Sequence, residues 1–122
     1  MRKLLLLFIA LPIIALGQEE MVINADEIFF EDKVTYFIKD STLVTGKVRG
    51  WHPNGQLTGE ATLKDGKGQG VYKVWYSNGQ LRSEGIYKDG KKDGVWKRWN
   101  EEGKLISEDT YKDGELISKK EY

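Results

Sequence analysis

The feature that most constrains this chain is an internal repeat with a period of 24 residues. Glycine, tryptophan, leucine and glutamate recur at fixed places in three successive units. The residues in register are Gly46, Gly70 and Gly94; Trp51, Trp75 and Trp99; Gly55, Gly79 and Gly103; Leu57, Leu81 and Leu105; and Glu60, Glu84 and Glu108. A Lys-Asp-Gly triplet punctuates the units, at residues 64–66, 88–90 and 112–114. This regularity predicts an array of like structural units over residues 45–122.

Each unit is predicted to form two β-strands. Residues 71–76 and 95–99 are rich in β-branched and aromatic side chains and have no apolar stripe at helical spacing. Asn78-Gly79 follows the first of these segments, and Asn-Gly is the preferred pair for a two-residue type I′ turn, in which both residues have positive φ. We therefore expect a tight hairpin at this pair. Asp89-Gly90 and residues 91–94 are expected to form a longer, solvated connection to the next hairpin.

The predicted fold is all-β: an elongated antiparallel meander of β-hairpin repeats of about 24 residues, with seven or eight strands. An irregular N-terminal capping hairpin is predicted within residues 18–44, from the apolar segments 28–30 and 34–38. Repeat arrays need such an atypical terminal unit. At the other end, residues 116–122 make half a unit, and the charged residues 119–121 are expected to protect its free edge from pairing with another chain.

Residues 1–17 have the features of a secretory signal peptide. A basic pair follows the initial Met, and the apolar run 4–16 is shorter than the ~20 residues needed to span a bilayer. The small residues Ala15 and Gly17 precede Gln18, where cleavage is expected. The protein is therefore predicted to be exported, either periplasmic or secreted, with no stable membrane span after cleavage. The alternative is an uncleaved membrane anchor.

Composition argues against catalysis. The chain has no cysteine and a formal net charge of zero, so it can form no disulfide or thiolate site and shows no basic excess for nucleic acid. The single histidine, His52, stands at a repeat position held by Tyr76 and Asn100 in the other units. It has no second histidine or cysteine with which to form a usual zinc site or nucleophile–base pair. We expect no catalytic residue, no metal site and no cofactor.

Three glutamates, Glu60, Glu84 and Glu108, recur once per unit, so a hairpin array can align them across the strands. Paired carboxylates can perform acid–base chemistry, but that chemistry needs two carboxylates in different environments. Identical residues in identical units are expected instead to pair with basic side chains on neighbouring strands, such as Arg82.

The aromatic residues are the candidate binding surface, namely Trp51, Trp75, Trp99, Tyr72 and Trp96. Tyr72 and Trp75 are three residues apart, as are Trp96 and Trp99. In a regular strand an odd separation puts the two side chains on opposite faces. One face is therefore expected to carry the three repeat tryptophans, and the other face Tyr72 and Trp96.

One of these two aromatic rows is expected to pack with the cap phenylalanines, Phe29, Phe30 and Phe37. The other row then stays partly open and can bind a ligand, because exposing a tryptophan without a function is costly. The alternative is that both rows only pack neighbouring hairpins together.

Residues 70–84 (Gly-Val-Tyr-Lys-Val-Trp-Tyr-Ser-Asn-Gly-Gln-Leu-Arg-Ser-Glu) and 87–90 (Tyr-Lys-Asp-Gly) closely resemble the MORN-variant repeat, the bacterial form of the MORN motif. The resemblance extends from about residue 40 to residue 122. Proteins with this repeat are often labelled as antitoxins of the YwqK-type family. The resemblance implies a repeated β-hairpin fold and a role in protein or membrane association without an active site. It implies a protein partner, with a toxin as one candidate.

The leading expectation is a non-enzymatic, exported module that presents an elongated β-surface to a protein partner. The alternative is binding of a carbohydrate or a cell-envelope glycan. Tryptophan- and tyrosine-rich hairpin repeats of ~20 residues also resemble choline- and glucan-binding modules, whose rings stack on sugars or enclose quaternary ammonium groups. Those modules place aromatic residues side by side in a pocket, whereas Tyr72 and Trp75 are expected on different faces.

Overall fold

The computed structural model describes residues 22–122. The strands are β1 (Val22–Asn24), β2 (Ile28–Glu31), β3 (Val34–Phe37), β4 (Gly46–Trp51), β5 (Leu57–Lys64), β6 (Lys67–Trp75), β7 (Leu81–Lys88), β8 (Lys91–Trp99), β9 (Leu105–Lys112) and β10 (Glu115–Glu121). Strands β4 to β10 pair in sequence order, and every pairing among them is antiparallel. The predicted all-β meander of hairpin repeats is confirmed.

The segment before the repeats contributes to two sheets. Strands β2 and β3 form a separate two-stranded hairpin whose turn, Asp32-Lys33, has positive φ at both residues. This is the capping hairpin that the sequence predicts. Strand β1 instead runs parallel to β4 and becomes the first strand of the eight-stranded main sheet, which the sequence did not predict. The predicted signal peptide, residues 1–17, lies outside the described residues.

The two kinds of turn are interchanged relative to the sequence prediction. The two-residue turns are the Asp-Gly pairs; Asp89 and Gly90 have φ of 52° and 81°, and Lys88 pairs with Lys91 across them. Positive φ at both positions is the signature of a type I′ turn, and its twist matches that of the flanking strands. The prediction that Asp89-Gly90 belongs to a longer connection is therefore wrong.

Asn78-Gly79 lies in a longer loop between Trp75 and Leu81. The Gly79 N–H donates to the Tyr76 carbonyl at 3.0 Å, and only Gly79 of the pair has a positive φ, 92°. These features match a three-residue hairpin loop, a type I turn followed by a left-handed glycine. The prediction of a type I′ turn at this pair is wrong, because Asn78 does not have a positive φ and its side chain caps the loop instead. Its Oδ1 atom accepts the N–H of Gln80 at 2.9 Å, which caps the loop.

The left-handed glycine of this loop gives a first testable prediction. Gly79→Val forces a β-branched residue to a φ near +92° and is expected to lower the free energy of unfolding by more than ~1 kcal/mol. The same substitution at Gly103, in the hairpin next to the exposed last strand, is expected to cost less. Denaturant melts of the two variants measure the difference. An unchanged melt for Gly79→Val would contradict the loop geometry.

The buried aliphatic core lies where the cap meets the first hairpin. Ile23, Val44 and Val48 are buried, and Ile28 and Phe37 are among the residues packed against them. Backbone hydrogen bonds fasten the cap to this site, because the Thr35 N–H donates to the Gly66 carbonyl at 2.8 Å and the Val44 N–H to the Thr35 carbonyl at 3.1 Å. The hydrophobic effect thus holds the cap on one face of the sheet only.

The three cap phenylalanines have different environments. Phe37 packs against the aliphatic core, and Phe29 stacks on Tyr36 within the hairpin, with ring centroids 5.2 Å apart. Phe30 is 70% exposed, although it lines a cavity together with Tyr72 and Tyr87. The alternation of side chains in a two-stranded hairpin turns Phe29 away from the sheet, so the three rings cannot all pack on one aromatic row.

Candidate interaction surface

The register of the meander assigns the side chains of the main sheet to two faces. Directly paired residues share a face. The cap-side face, beneath β2 and β3, carries the row Val48, Ala61, Tyr72, Gly85, Trp96 and Asp109. The neighbouring residue of each strand belongs to the opposite face, here called the open face, with the row Arg49, Glu60, Lys73, Glu84, Lys97, Glu108 and Lys120. Tyr72 and Trp96 thus lie on the cap-side face, opposite the repeat tryptophans.

Tyr72 and Trp96 belong to a packed aromatic cluster. The ring centroid of Trp96 lies 5.6 Å from that of Tyr72 and 5.0 Å from that of Tyr87. Trp96 is only 8% exposed, and its indole N–H donates to the Ile86 carbonyl at 3.1 Å. Burial raises the pKa of the Tyr87 phenol above its ordinary value, and nearby Tyr72 and Tyr111 add to the shift. The burial and the hydrogen bond indicate that Trp96 stabilises the fold.

The three repeat tryptophans alternate with leucines along one end of the open face. The paired residues are Trp51 with Leu57, Trp75 with Leu81, and Trp99 with Leu105. Trp51 is 48% exposed, and Trp75 and Trp99 are half-buried. A leucine-bearing strand separates each tryptophan from the next, so the strands that carry the tryptophans are about 10 Å apart. The row is a continuous apolar strip rather than a stack of aromatic rings.

Charged residues of alternating sign cross the middle of the open face. Arg49 Nε lies 2.6 Å from Glu60 Oε2, Lys73 Nζ 3.6 Å from Glu84 Oε2, and Lys97 Nζ 3.9 Å from Glu108 Oε2. The predicted pairing of the repeat glutamates with basic residues is therefore present. Arg82 is not the partner: its guanidinium lies 5.6 Å from the centroid of the Tyr76 ring. Such partly exposed pairs each contribute about 0.2–1 kcal/mol and mainly fix the register of the strands.

A third band of the open face is apolar and was missed by the sequence analysis. Val71, Ile86 and Val95 are each 45–49% exposed, which shows that the described part of the chain leaves this face uncovered here. Val71 and Ile86 are directly paired. The sequence feature that indicates this band is its periodicity, because Val71 and Val95 are separated by one repeat of 24 residues.

Side chains in the long loops join each unit to the next. His52 Nε2 lies 3.0 Å from the Trp75 carbonyl oxygen, and the Tyr76 hydroxyl donates to the Trp99 carbonyl at 2.8 Å. A carbonyl oxygen only accepts, so Nε2 is the protonated ring nitrogen of His52. Asn54 and Asn78 likewise donate to the next loop, to the carbonyls of Ser77 and Glu101. These contacts give His52 a structural role in the array.

The hairpins correspond to the repeats of a known protein family. The sequence matches the family described as MORN repeat variant over residues 44–65, 69–89 and 92–113. The chain belongs to this family. Each matched MORN unit begins near a strand, contains one long loop and ends at the aspartate of a type I′ turn. The family unit is therefore the hairpin built around the Asn-Gly or Glu-Gly loop. No curated protein and no solved structure matches the chain.

MORN repeats are generally modules for association with proteins or membranes. Within residues 22–122 of this MORN protein, no group of three or more histidine, aspartate or glutamate side chains is arranged to hold a metal ion. The same part of the chain contains no helix that is long and apolar enough to cross a membrane.

Proposed function

We propose that this protein is a non-enzymatic, exported module that binds a protein partner through the open face of its MORN sheet. The observation that carries the proposal is the uncovered surface of that face. Two apolar bands, the tryptophan–leucine row and the Val71–Ile86–Val95 band, flank the charged row. Exposed apolar surface bordered by polar groups is typical of interaction sites.

The arrangement favours a protein over a glycan. The strands that carry the tryptophans are about 10 Å apart with a leucine-bearing strand between them, unlike the adjacent rings that stack on a sugar or enclose a quaternary ammonium group. Aliphatic and aromatic side chains beside charged pairs match the mixed composition of a protein interface. A sheet of eight strands also suits a partner with a broad complementary surface.

The sequence supports a finer proposal about the partner. Residues 1–17 have the basic, apolar and small-residue regions of an export signal, so the partner is met outside the cytoplasm. The resemblance to the YwqK-type antitoxin family supports a toxin as that partner. An exported antitoxin of this kind acts as an immunity protein, covering the toxin surface with its sheet and performing no chemistry on it.

The test is an affinity capture with residues 18–122 as bait, applied to proteins recovered from outside the cytoplasm. We expect specific capture of one protein, and mass spectrometry of the native chain is expected to place its N-terminus at or within a few residues of Gln18. Recovery of the uncleaved chain in the membrane fraction would contradict export. Retention on purified cell-wall glycan, with no protein captured, would favour the carbohydrate alternative.

A further inference from the structure

The cap-side face contains a cavity that the proposed partner surface does not use. It lies between the β2–β3 hairpin and strands β4 to β7 and has a volume of about 400 Å³. Its walls are largely apolar, and the principal side chains are Ile28, Phe30, Val48, Leu63, Tyr72 and Tyr87. A space of this size and character holds a small organic molecule.

Lys33 is the one charged residue that lines this cavity within residues 22–122. Its ammonium group forms no ion pair with any residue of that range. Acidic residues Asp32 and Asp89 line a neighbouring groove that shares Lys33, but they do not line the cavity itself. A single unpaired cation at the edge of an apolar space provides charge complementarity for an anion.

The backbone at Lys33 is unusual. Three two-residue turns of the main sheet have the sequence Asp-Gly, whereas the turn of the cap hairpin is Asp32-Lys33. Lys33 has a φ of 67°, a conformation that glycine adopts at little cost and that is strained for lysine. The Asp65-Gly66 and Asp89-Gly90 turns contribute their glycines to the cavity wall, so among the turns at the cavity a cation stands in place of glycine at Lys33.

Polar groups of the cavity are also available to a ligand. The hydroxyls of Tyr72 and Tyr87 form no hydrogen bond within the described part of the chain. Both rings are held rigidly, because they pack edge to face with centroids 5.5 Å apart and both contact Trp96. Gly68 makes room for one of them, since a Cβ atom there would lie 2.8 Å from the Tyr87 ring.

We propose that this cavity binds a small amphipathic carboxylate, with the apolar body between cap and sheet and the carboxylate on Lys33. The aliphatic walls receive the hydrocarbon portion, and the tyrosine hydroxyls can donate to the carboxylate or to a second oxygen of the ligand. The site is on the opposite face of the sheet from the proposed partner surface, so ligand and protein partner are separately testable.

The experiment uses the purified chain and the fluorescence of bound anilinonaphthalene sulfonate, an apolar anion, as the probe. Decanoate is expected to displace the probe, and decanol, which has the same chain length without the charge, is expected to compete about tenfold more weakly. Lys33→Gly is expected to weaken the binding of decanoate about tenfold. The melting temperature of this variant is expected to stay the same or rise, because glycine adopts the backbone conformation of this turn at little cost. Lys88→Ala removes an exposed lysine that does not line the cavity and is expected to leave decanoate binding unchanged.

A second variant tests the location of the site. Ala61→Leu adds bulk to the cavity wall and is expected to abolish decanoate binding even with Lys33 present. Equal competition by decanol and decanoate, or unchanged decanoate binding in Lys33→Gly, would overturn the proposal. So would a failure of the wild-type chain to bind the probe. The Lys33→Gly result decides the matter if the Ala61→Leu chain does not fold.

Discussion

Replacing Gly85 with alanine is expected to lower the free energy of unfolding by about 3 kcal/mol, although it adds a single methyl group to a strand. A Cβ atom at Gly85 would lie 2.1 Å from a ring carbon of Trp96, which covers the glycine. The ring cannot move aside freely, because it packs against Tyr72 and Tyr87 and its N–H is bonded to the Ile86 carbonyl. Urea or thermal melts measure the effect.

Gly59 is the matched control, since it is a strand glycine on the same face. A Cβ atom there would meet only the Lys73 carbonyl oxygen at 3.4 Å and Val74 at 4.0 Å. Gly59→Ala is therefore expected to be neutral or slightly stabilising, within about 1 kcal/mol. In a Trp96→Val background, Gly85→Ala is expected to lower the free energy of unfolding much less. The two positions therefore have a large coupling energy. Equal losses in the free energy of unfolding for Gly59→Ala and Gly85→Ala would show that the packing of the Trp96 ring does not require a glycine at position 85.

Replacing Trp75 with alanine is expected to abolish partner binding with a loss of only ~1 kcal/mol in folding stability, because this half-buried ring lies on the open face. Trp96→Ala is expected to show the reverse pattern, with a loss of ~3–5 kcal/mol, as for other buried tryptophans. Tyr72→Ala should resemble Trp96→Ala, since the two rings share a cluster. Denaturant melts and affinity capture on the same preparations separate the two roles. A loss of ~3–5 kcal/mol for Trp75→Ala would place that ring in the core.

The strands could be predicted from the sequence because their pattern repeats, but the turns could not. Asn-Gly and Asp-Gly both satisfy the backbone of a type I′ turn, and the choice depends on how the strands align. The Asn78 carboxamide is engaged by Gln80 and by the Glu101 carbonyl, a contact 23 residues away. Local turn propensity contains no information about such a contact. The sequence therefore predicts the two-residue turn at Asn-Gly, whereas the structure has it at Asp-Gly.

Three further features depended on long-range packing. Strand β1 has three residues, too few to show an alternating pattern; it pairs with the free edge of β4 and buries Ile23 in the core. Arg82 is the extra residue of a β-bulge, since Val74 pairs with Ser83 and Trp75 with Leu81, so it lies out of register with the repeat glutamates. The burial of Trp96 depends on its packing against Tyr72 and Tyr87 on neighbouring strands.

The chain lacks cysteine, so a single introduced thiol can report which face the partner covers. Val71 on the open face and Leu116, paired with Tyr111 on the cap-side face, are 45% and 49% exposed, so Val71→Cys and Leu116→Cys should react at similar rates in the free protein. The variants are labelled with a maleimide with and without the captured partner. We expect the partner to protect the thiol of Val71→Cys and to leave that of Leu116→Cys reactive. Protection of Leu116→Cys alone, with Val71→Cys reacting at its free rate, would contradict the claim that the open face is the binding surface.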